Sequence, residues 1–459
     1  MTQSVSCEKT KSTKSRPRKT FNRDHYHRCQ MSMPAIEEIE NRIQQWLNPF
    51  DWKPTKMFLR KEKFPGEKEY KLRSRKLDLM VIMAIIFSLI YRQINSLTEV
   101  LRILNLRGLM WAKAIQVSKQ ALSKRLQTLP AQLIANIFAQ TLDSIQNTQK
   151  LSNLNLVPAK YQTVVKSFSA IWIADGSTLE ALKRKLKVFP DKKQVLGGKM
   201  MMVVQMFTHQ PVKVWYSENP RNNDKLWCDQ LLDSLPMNGL LVFDMGFFKF
   251  GWFDQFTESQ KYFLTRLREK TSYQVVKTLS VGLYFRDQII EMGEYRSNPC
   301  QHQVRLVSVL WGQNWYYYIT NVVDPRMLSA QQVCDLYRHR WSIEDAFGIT
   351  KRLLGLSYLW VGDCNGVQIQ LFATWIFYAV LNDLCSQVAI ALNQPKEVIS
   401  VEMVFRSIAH FHADNITEKA DNLINYLVDN FEVLGLVKFR RQRHREREAI
   451  SRNIWALVT

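Results

Sequence analysis

The chain has 459 residues, more than one typical core accommodates, so two or three domains are expected. Its 63 Lys and Arg against 41 Asp and Glu leave a net charge of +22, which points to a polyanionic partner, nucleic acid ahead of an anionic membrane surface. Cys7, Cys29, Cys228, Cys300, Cys334, Cys364 and Cys385 are scattered and form no C-x-x-C pair, which argues against a disulfide framework and a structural zinc site.

Residues 1–30 are basic and poor in apolar side chains, and read as a disordered arm. Within it Asp24-His-Tyr-His-Arg-Cys29 has metal-ligand types, but as a lone cluster in a basic arm it reads as polar coil. The basic N-terminus lacks the apolar stretch of a secretory signal. The longest apolar runs, Leu79–Ile90 and Leu371–Leu381, fall short of the roughly 20 residues that span a bilayer. They read as buried core helices, and a soluble, cytoplasmic, nucleoid-associated protein is expected.

From about 35 to 150 the pattern is helical: Ala35–Leu47 is amphipathic, Leu77–Leu104 long and apolar, and Val117–Leu129 stops at Pro130. The segment Val117–Leu126 has the small polar start and apolar spacing of a helix-turn-helix reading helix; a plain surface helix fits it equally well. Near 165 the texture turns to strands. Ala170–Ala174 ends in Asp175-Gly-Ser-Thr, Lys199–Phe207 and Val212–Tyr216 flank a turn at His209-Gln-Pro211, and Leu240–Phe243 ends in Asp244-Met-Gly-Phe-Phe. Tyr262–Leu267 follows, with Arg266 and Arg268. Between about 270 and 322, Leu283–Phe285, Val304–Trp311 and Trp315–Asn321 read as β-rich. Helices resume at Ser329-Ala-Gln-Gln332, which has capping-box form, and continue to about 430. The tail at 438–447 is strongly basic.

The most informative stretch is Tyr337-Arg-His-Arg340-Trp-Ser-Ile-Glu344-Asp-Ala-Phe-Gly-Ile-Thr-Lys351. On one helix, at about 100° per residue, Tyr337, Arg340, Glu344 and Lys351 fall at roughly 0°, 300°, 340° and 320°, a single stripe. Leu336, Ile343, Phe347 and Leu354 fall at roughly 240–280°, a buried seam beside it. Such stripes are often solvated helix faces. Here, however, Asp175 and Asp244 each follow a hydrophobic strand, next to or one residue from a glycine. Three carboxylates from two strand ends and one helix are hard oxygen ligands suited to Mg²⁺, and two such ions serve phosphodiester displacement.

These residues resemble a bacterial insertion-sequence DDE transposase of the branch marked by a Y-(2)-R-(3)-E-(6)-K signature (insertion-sequence-4-like). Tyr337, Arg340, Glu344 and Lys351 reproduce its spacing. Ala-Asp175-Gly-Ser-Thr resembles the first aspartate motif, Phe-Asp244-Met-Gly-Phe-Phe the second, and Phe263-Leu-Thr-Arg-Leu-Arg268 the strand that follows. The resemblance covers about 165–385. It implies an α/β protein with a ribonuclease-H-like mixed-sheet core, a β-rich insertion domain, an all-α N-terminal domain and a helical C-terminal region. The 100 residues from Asp244 to Glu344 exceed one strand and a loop, and the β-patterned segment fills them.

By the same resemblance Asp175, Asp244 and Glu344 are catalytic and ligate two Mg²⁺ ions, with Mn²⁺ substituting. Tyr337, Arg340 and Lys351 grip DNA phosphates near the element end, with Arg266 and Arg268 beside them, and Trp311 or Trp315 stacks an extruded base. The expected partners are double-stranded DNA (element ends and target) and a second copy of the chain on DNA. The expected division is a basic arm at 1–30, a helical DNA-binding domain at 31–155, catalytic core at 160–268 and 324–395, the insertion at 269–323, and a basic helical region at 396–459. A stand-alone metal-dependent nuclease and a catalytically inactive DNA-binding regulator are the alternatives to a transposase.

Overall fold

The computed structural model describes residues 77–94, 96–149, 156–179, 198–361, 363–415, 422–438 and 455. The arm at 1–30, the 35–47 helix, the Asp24–Cys29 cluster and nearly all of the basic tail lie outside the described residues.

The described N-terminal region is helical: α1 (Leu79–Tyr91), α2 (Leu97–Arg107), α3 (Lys119–Thr128) and α4 (Ala131–Gln149). The run 77–104 is therefore two helices rather than the single one expected. Gln93 takes a left-handed φ of 53°, and its side-chain amide donates to the Leu353 carbonyl at 2.5 Å. Ser96 then caps α2 by accepting from the Glu99 amide. A long-range bond and a local cap together break a continuous apolar run. Ser118 caps α3 in the same way, and α5 (Gln162–Ser167) leads into the sheet.

The sheet is mixed and nine-stranded, in the order β3-β2-β1-β4-β5-β9-β8-β7-β6. Its first half comprises β1 (Ile171–Thr178), β2 (Lys199–Gln205), β3 (Pro211–Ser217), β4 (Leu240–Phe243) and β5 (Tyr262–Arg266). β2 runs antiparallel to β1 and β3, whereas β1, β4 and β5 are mutually parallel. Helices α6 (Cys228–Ser234) and α7 (Phe250–Glu258) make the connections to β4 and β5. The second half comprises β6 (Tyr273–Val281), β7 (Phe285–Met292), β8 (Val304–Trp311) and β9 (Asn314–Thr320). These strands extend the same sheet, because β9 pairs with β5 from Leu264↔Thr320 to Arg266↔Tyr318. Leu283 and Tyr284, read as the start of a strand, instead precede β7, which begins at Phe285.

Side chains alternate between the two faces of a strand, and both faces of this sheet are covered. Ile171, Ile173, Leu240, Val242 and Leu264 join one apolar cluster with the helices at either end of the chain. Trp172, Ala174, Leu241, Phe243 and Phe263 join another with Trp252, Phe253 and Phe256 of α7. Asp175 and Ser177 share the parity of Ile171 and Ile173. That places them on the face covered by the later helices.

Those helices are α8 (Ala330–His339), α9 (Ser342–Gly348), α10 (Cys364–Ala391), α11 (Val401–Asn415) and α12 (Leu423–Asp429). Arg305 on β8 anchors the approach to α8. It makes a bidentate pair with Asp287 at 2.7 Å and donates to the Leu328 carbonyl at 2.5 Å, fully buried. α10 is long and apolar enough to cross a membrane by length and composition, yet most of it is buried inside the protein, as befits a central helix. It packs on α4, with Phe138 against Phe372. Asn365 at its start accepts from the Ala131 amide and donates to the carbonyls of Leu126 and Leu129, pinning the α3–α4 corner.

Candidate active site

Two parallel strands end side by side at the site. β1 pairs with β4 as far as Ala174↔Phe243 but with β2 as far as Thr178↔Lys199. Asp175 was expected to follow the strand; it lies within β1, at the first position that β4 no longer covers. Asp244 is the first residue after β4 and caps the short turn Met245–Phe247. Each aspartate spends one oxygen on a nearby glycine: Oδ1 of Asp175 accepts from the Gly176 amide and Oδ1 of Asp244 from the Gly246 amide, both at 2.8 Å.

Burial pushes the Asp175 carboxyl up to about 6 from 3.8. Against this work the Arg340 charge and the Gly176 amide, while the Asp244 and Asp224 charges push further upward. Negative charge is thus concentrated at the ends of β1 and β4, and one guanidinium answers it.

That guanidinium comes from the helical segment. Ser329 and Gln332 form the expected capping box at the start of α8. The single helix expected through Lys351 is broken. The amides of Arg340, Trp341, Ile343 and Glu344 each bond three residues back, tightening the chain between α8 and α9, and a π-helical turn at Ile349–Leu353 then widens it. Leu336, Ile343, Phe347 and Leu354 all remain buried, and Arg340 and Lys351 still reach β1.

Nη1 of Arg340 donates to Oδ2 of Asp175 at 3.0 Å, and Nη2 stands 3.5 Å from the Glu344 carboxylate. Arg340 thereby bridges an acid on the sheet and an acid on α9. Glu344 remains about half exposed; burial raises its pKa and Arg340 opposes the rise. Nζ of Lys351 donates to Ser177 Oγ at 2.5 Å and to the Thr178 carbonyl at 2.7 Å, clasping the end of β1. Tyr337 differs from the outward-looking hydroxyl expected. Its ring is buried against Tyr318 at 5.1 Å, because α8 lays this side on β5, β8 and β9. Burial raises the phenol pKa, and the Arg340 and Arg266 charges oppose the rise.

Arg266 ends β5 with its guanidinium over Tyr316 at 5.5 Å, and Arg268 is exposed in the loop beyond. Trp311 lies beneath Arg338 at 4.9 Å and Trp315 beneath Arg286 at 5.4 Å, so each indole already carries a cation. Two neighbours escaped the sequence reading. Trp341 is 58% exposed, with Arg340 over its ring at 4.9 Å. Its offset of four from Tyr337 sets it at roughly 40° on the helical count, the edge of the charged stripe, so periodicity contained that signal. Asp224, in the loop after β3, has no local signature.

The donor set suits a divalent cation. Asp175, Asp244 and Glu344 offer only carboxylate oxygens, the preference of Mg²⁺ and Mn²⁺, and the Asp244 and Asp224 charges act on Asp175. As folded, no three acids among the described residues converge on one point; Glu344 is turned to Arg340 instead.

Residues 166–378 match the family described as Transposase DDE domain. A probable transposase for an insertion sequence element of Geobacillus stearothermophilus is 25% identical over 236 residues, 50% of this chain and 60% of that protein. A putative transposase of Sinorhizobium fredii is 25% identical over 147 residues, 30% of this chain and 41% of that protein. The chain therefore spans less than two thirds of either relative. Among solved structures, the piggyBac transposase synaptic complex with hairpin DNA aligns over 88% of this chain and 84% of its own, at 10% identity and a TM-score of 0.35, too low a score to bear on the fold. The stretch that brings Asp175, Asp244, Arg340, Glu344 and Lys351 together is thus the stretch that matches a transposase DDE domain.

Proposed function

We propose that this protein is a DDE transposase that binds the terminal inverted repeats of its mobile element, cuts the DNA and joins the freed ends to target DNA. The observation that carries the reading is the Arg340 bridge, which links Asp175, beside Asp244 at the strand ends, to Glu344 on α9. A β3-β2-β1-β4-β5 order with β2 antiparallel supports a ribonuclease-H-like core, and β6–β9 fit the β-rich insertion before the glutamate helix. The spacing of Tyr337, Arg340, Glu344 and Lys351 supports the branch with that signature.

In this reading Asp175, Asp244 and Glu344 hold two Mg²⁺ ions, with Mn²⁺ substituting. When bound, such ions activate the attacking oxygen and stabilise the leaving one. Arg340 supplies a planar fork and Lys351 a point charge to the DNA backbone, with Arg266, Arg268 and the Tyr337 hydroxyl beside them. Trp311 and Trp315 serve an extruded base once their arginines turn to phosphate. The helices within 31–155 and the basic region at 396–459 extend the DNA contact, and synapsis of two element ends calls for at least a dimer on DNA.

The test uses purified protein with labelled duplexes carrying the inverted repeats that flank its gene, plus Mg²⁺ and target plasmid. Cleaved ends joined to the target are expected. Cutting without joining indicates the stand-alone nuclease, and binding without cutting the inactive regulator.

A further inference from the structure

Asp224 lies outside the three acids, beside the glycines whose amides bond two of them. It opens the short turn Asp224–Trp227 after β3, whose first free amide is capped by Asn223. Its carboxylate rests on the two glycines that organise the aspartates. A Cβ added at Gly176 would overlap Asp224 Oδ1, and one at Gly246 would stand 3.5 Å from Asp224 Oδ2. These are the glycines whose amides donate to Asp175 and Asp244. Lys199 of β2 holds the carboxylate in place: Nζ is 2.6 Å from Asp224 Oδ1 and donates to the Asn222 carbonyl at 2.9 Å. Only 11% of the Lys199 side chain and 22% of the Asp224 side chain are exposed.

A further carboxylate beside two others costs free energy unless a cation offsets it and the placement does something. Lys199 provides the cation. It also engages the carboxylate from β2, which holds Asp224 against Gly176 and Gly246. The absence of side chains at positions 176 and 246 leaves room for it, which ties three chain segments at one point.

We infer that Asp224, clamped by Lys199, is a positioning residue that locks the end of β1 at Gly176 against the turn at Gly246, so that Asp175 and Asp244 present oxygens to the same divalent ion. This rests on the metal-binding reading above. Partners behind metal ligands typically change affinity 10–100-fold when removed.

The experiment titrates Mn²⁺ into the full-length protein without DNA, by calorimetry, alongside metal-free thermal unfolding and binding of element-end DNA in chelator. Asp224→Ala and Lys199→Met should each weaken Mn²⁺ binding about tenfold, and the double variant should be no worse than either, as members of one unit behave. Asp224→Asn, which keeps the volume and an acceptor oxygen, should restore affinity to within about threefold of wild type. Metal-free melting of Asp224→Asn and the DNA affinity of every variant should stay near wild type, whereas Lys199→Met, which leaves the Asp224 carboxylate unpaired, should melt lower. Wild-type Mn²⁺ affinity in Asp224→Ala overturns the inference. So does tighter binding in Lys199→Met, which would make Asp224 a ligand that Lys199 restrains. If Asp224→Ala fails to fold, Lys199→Met carries the test alone. Asp175→Asn separates the two levels: undiminished Mn²⁺ binding there overturns the metal reading itself, whatever the Asp224 variants do.

Discussion

Arg340 donates to Asp175 at 3.0 Å, joining the start of the tight turn between α8 and α9 to the uncovered end of β1. The same guanidinium faces Glu344 at 3.5 Å. One cation thus spans two of the acids proposed to hold metal, and it is also the side chain best shaped for a phosphate. In the free protein Arg340 steadies both acids; with divalent ions bound to those acids, its fork would be available to a DNA phosphate.

Asp175 makes metal-free stability pH-dependent with a definite sign. Its carboxyl stands at about 6 in the folded protein against an ordinary 3.8, so between those values the folded state holds more protons than the unfolded one. Its contribution favours folding fully below 3.8 and is lost as pH rises through 6. Asp175→Asn, which still accepts from Arg340, should therefore gain on the order of 2 kcal/mol over wild type at pH 8 and almost nothing near pH 4. Urea unfolding in chelator at the two pH values measures this; a gain independent of pH would refute the assignment.

Glu344 offers the cleanest separation of chemistry from folding, because its side chain is about half exposed and its partner Arg340 keeps its bond to Asp175. Glu344→Gln should reduce end cleavage by at least about a hundredfold, shift stability by less than about 1 kcal/mol, and leave end-binding affinity within a few fold. Gel assays of cutting beside anisotropy of binding report both, and normal cutting would remove Glu344 from the site.

Lys351 should reveal itself through salt. Each phosphate neutralised on duplex DNA contributes a slope of about −0.9 in log affinity against log salt. Lys351→Gln, which retains a donor for the Thr178 carbonyl, should lower the magnitude of that slope by about 1 and weaken binding similarly across DNA sequences. An unchanged slope would restrict Lys351 to clasping β1.

The buried Arg305–Asp287 pair joins β7 and β8 to the chain entering α8. Arg305→Met leaves a buried carboxylate unpaired and should cost about 3–5 kcal/mol, read as a fall in melting temperature. Adding Asp287→Leu should recover part of that loss, since replacing both partners by apolar groups is often close to neutral.

Much of this protein was legible locally. Short apolar runs bounded by turn residues located β2, β3, β4, β5, β8 and β9 to within about two residues, the Ser329–Gln332 box marked the start of α8, and the 3.6-residue period picked out the buried seam of Leu336, Ile343, Phe347 and Leu354. Those signals depend on near neighbours in sequence. The break in the 77–104 run was not legible, because Gln93 is held by Leu353, 260 residues away. Nor was the tight turn at Arg340, where contact with Asp175 accompanies a departure from regular helical bonding without any Gly or Pro to announce it.

The order of residues by itself determined which groups were available: three acids in sequence, a stripe of Tyr, Arg, Glu and Lys, and glycines beside each aspartate. Only the tertiary structure decided which of them meet. β4 stops at Phe243 while β2 continues to Lys199, so Asp175 is uncovered on one edge and Asp244 lies beside it. The loop after β3 brings Asp224 onto both glycines, a convergence of segments that no periodicity encodes. The physical reason is one of range. Hydrogen-bond periodicity acts over a few residues, whereas the charge balance of a buried acid depends on every group that folding brings near it.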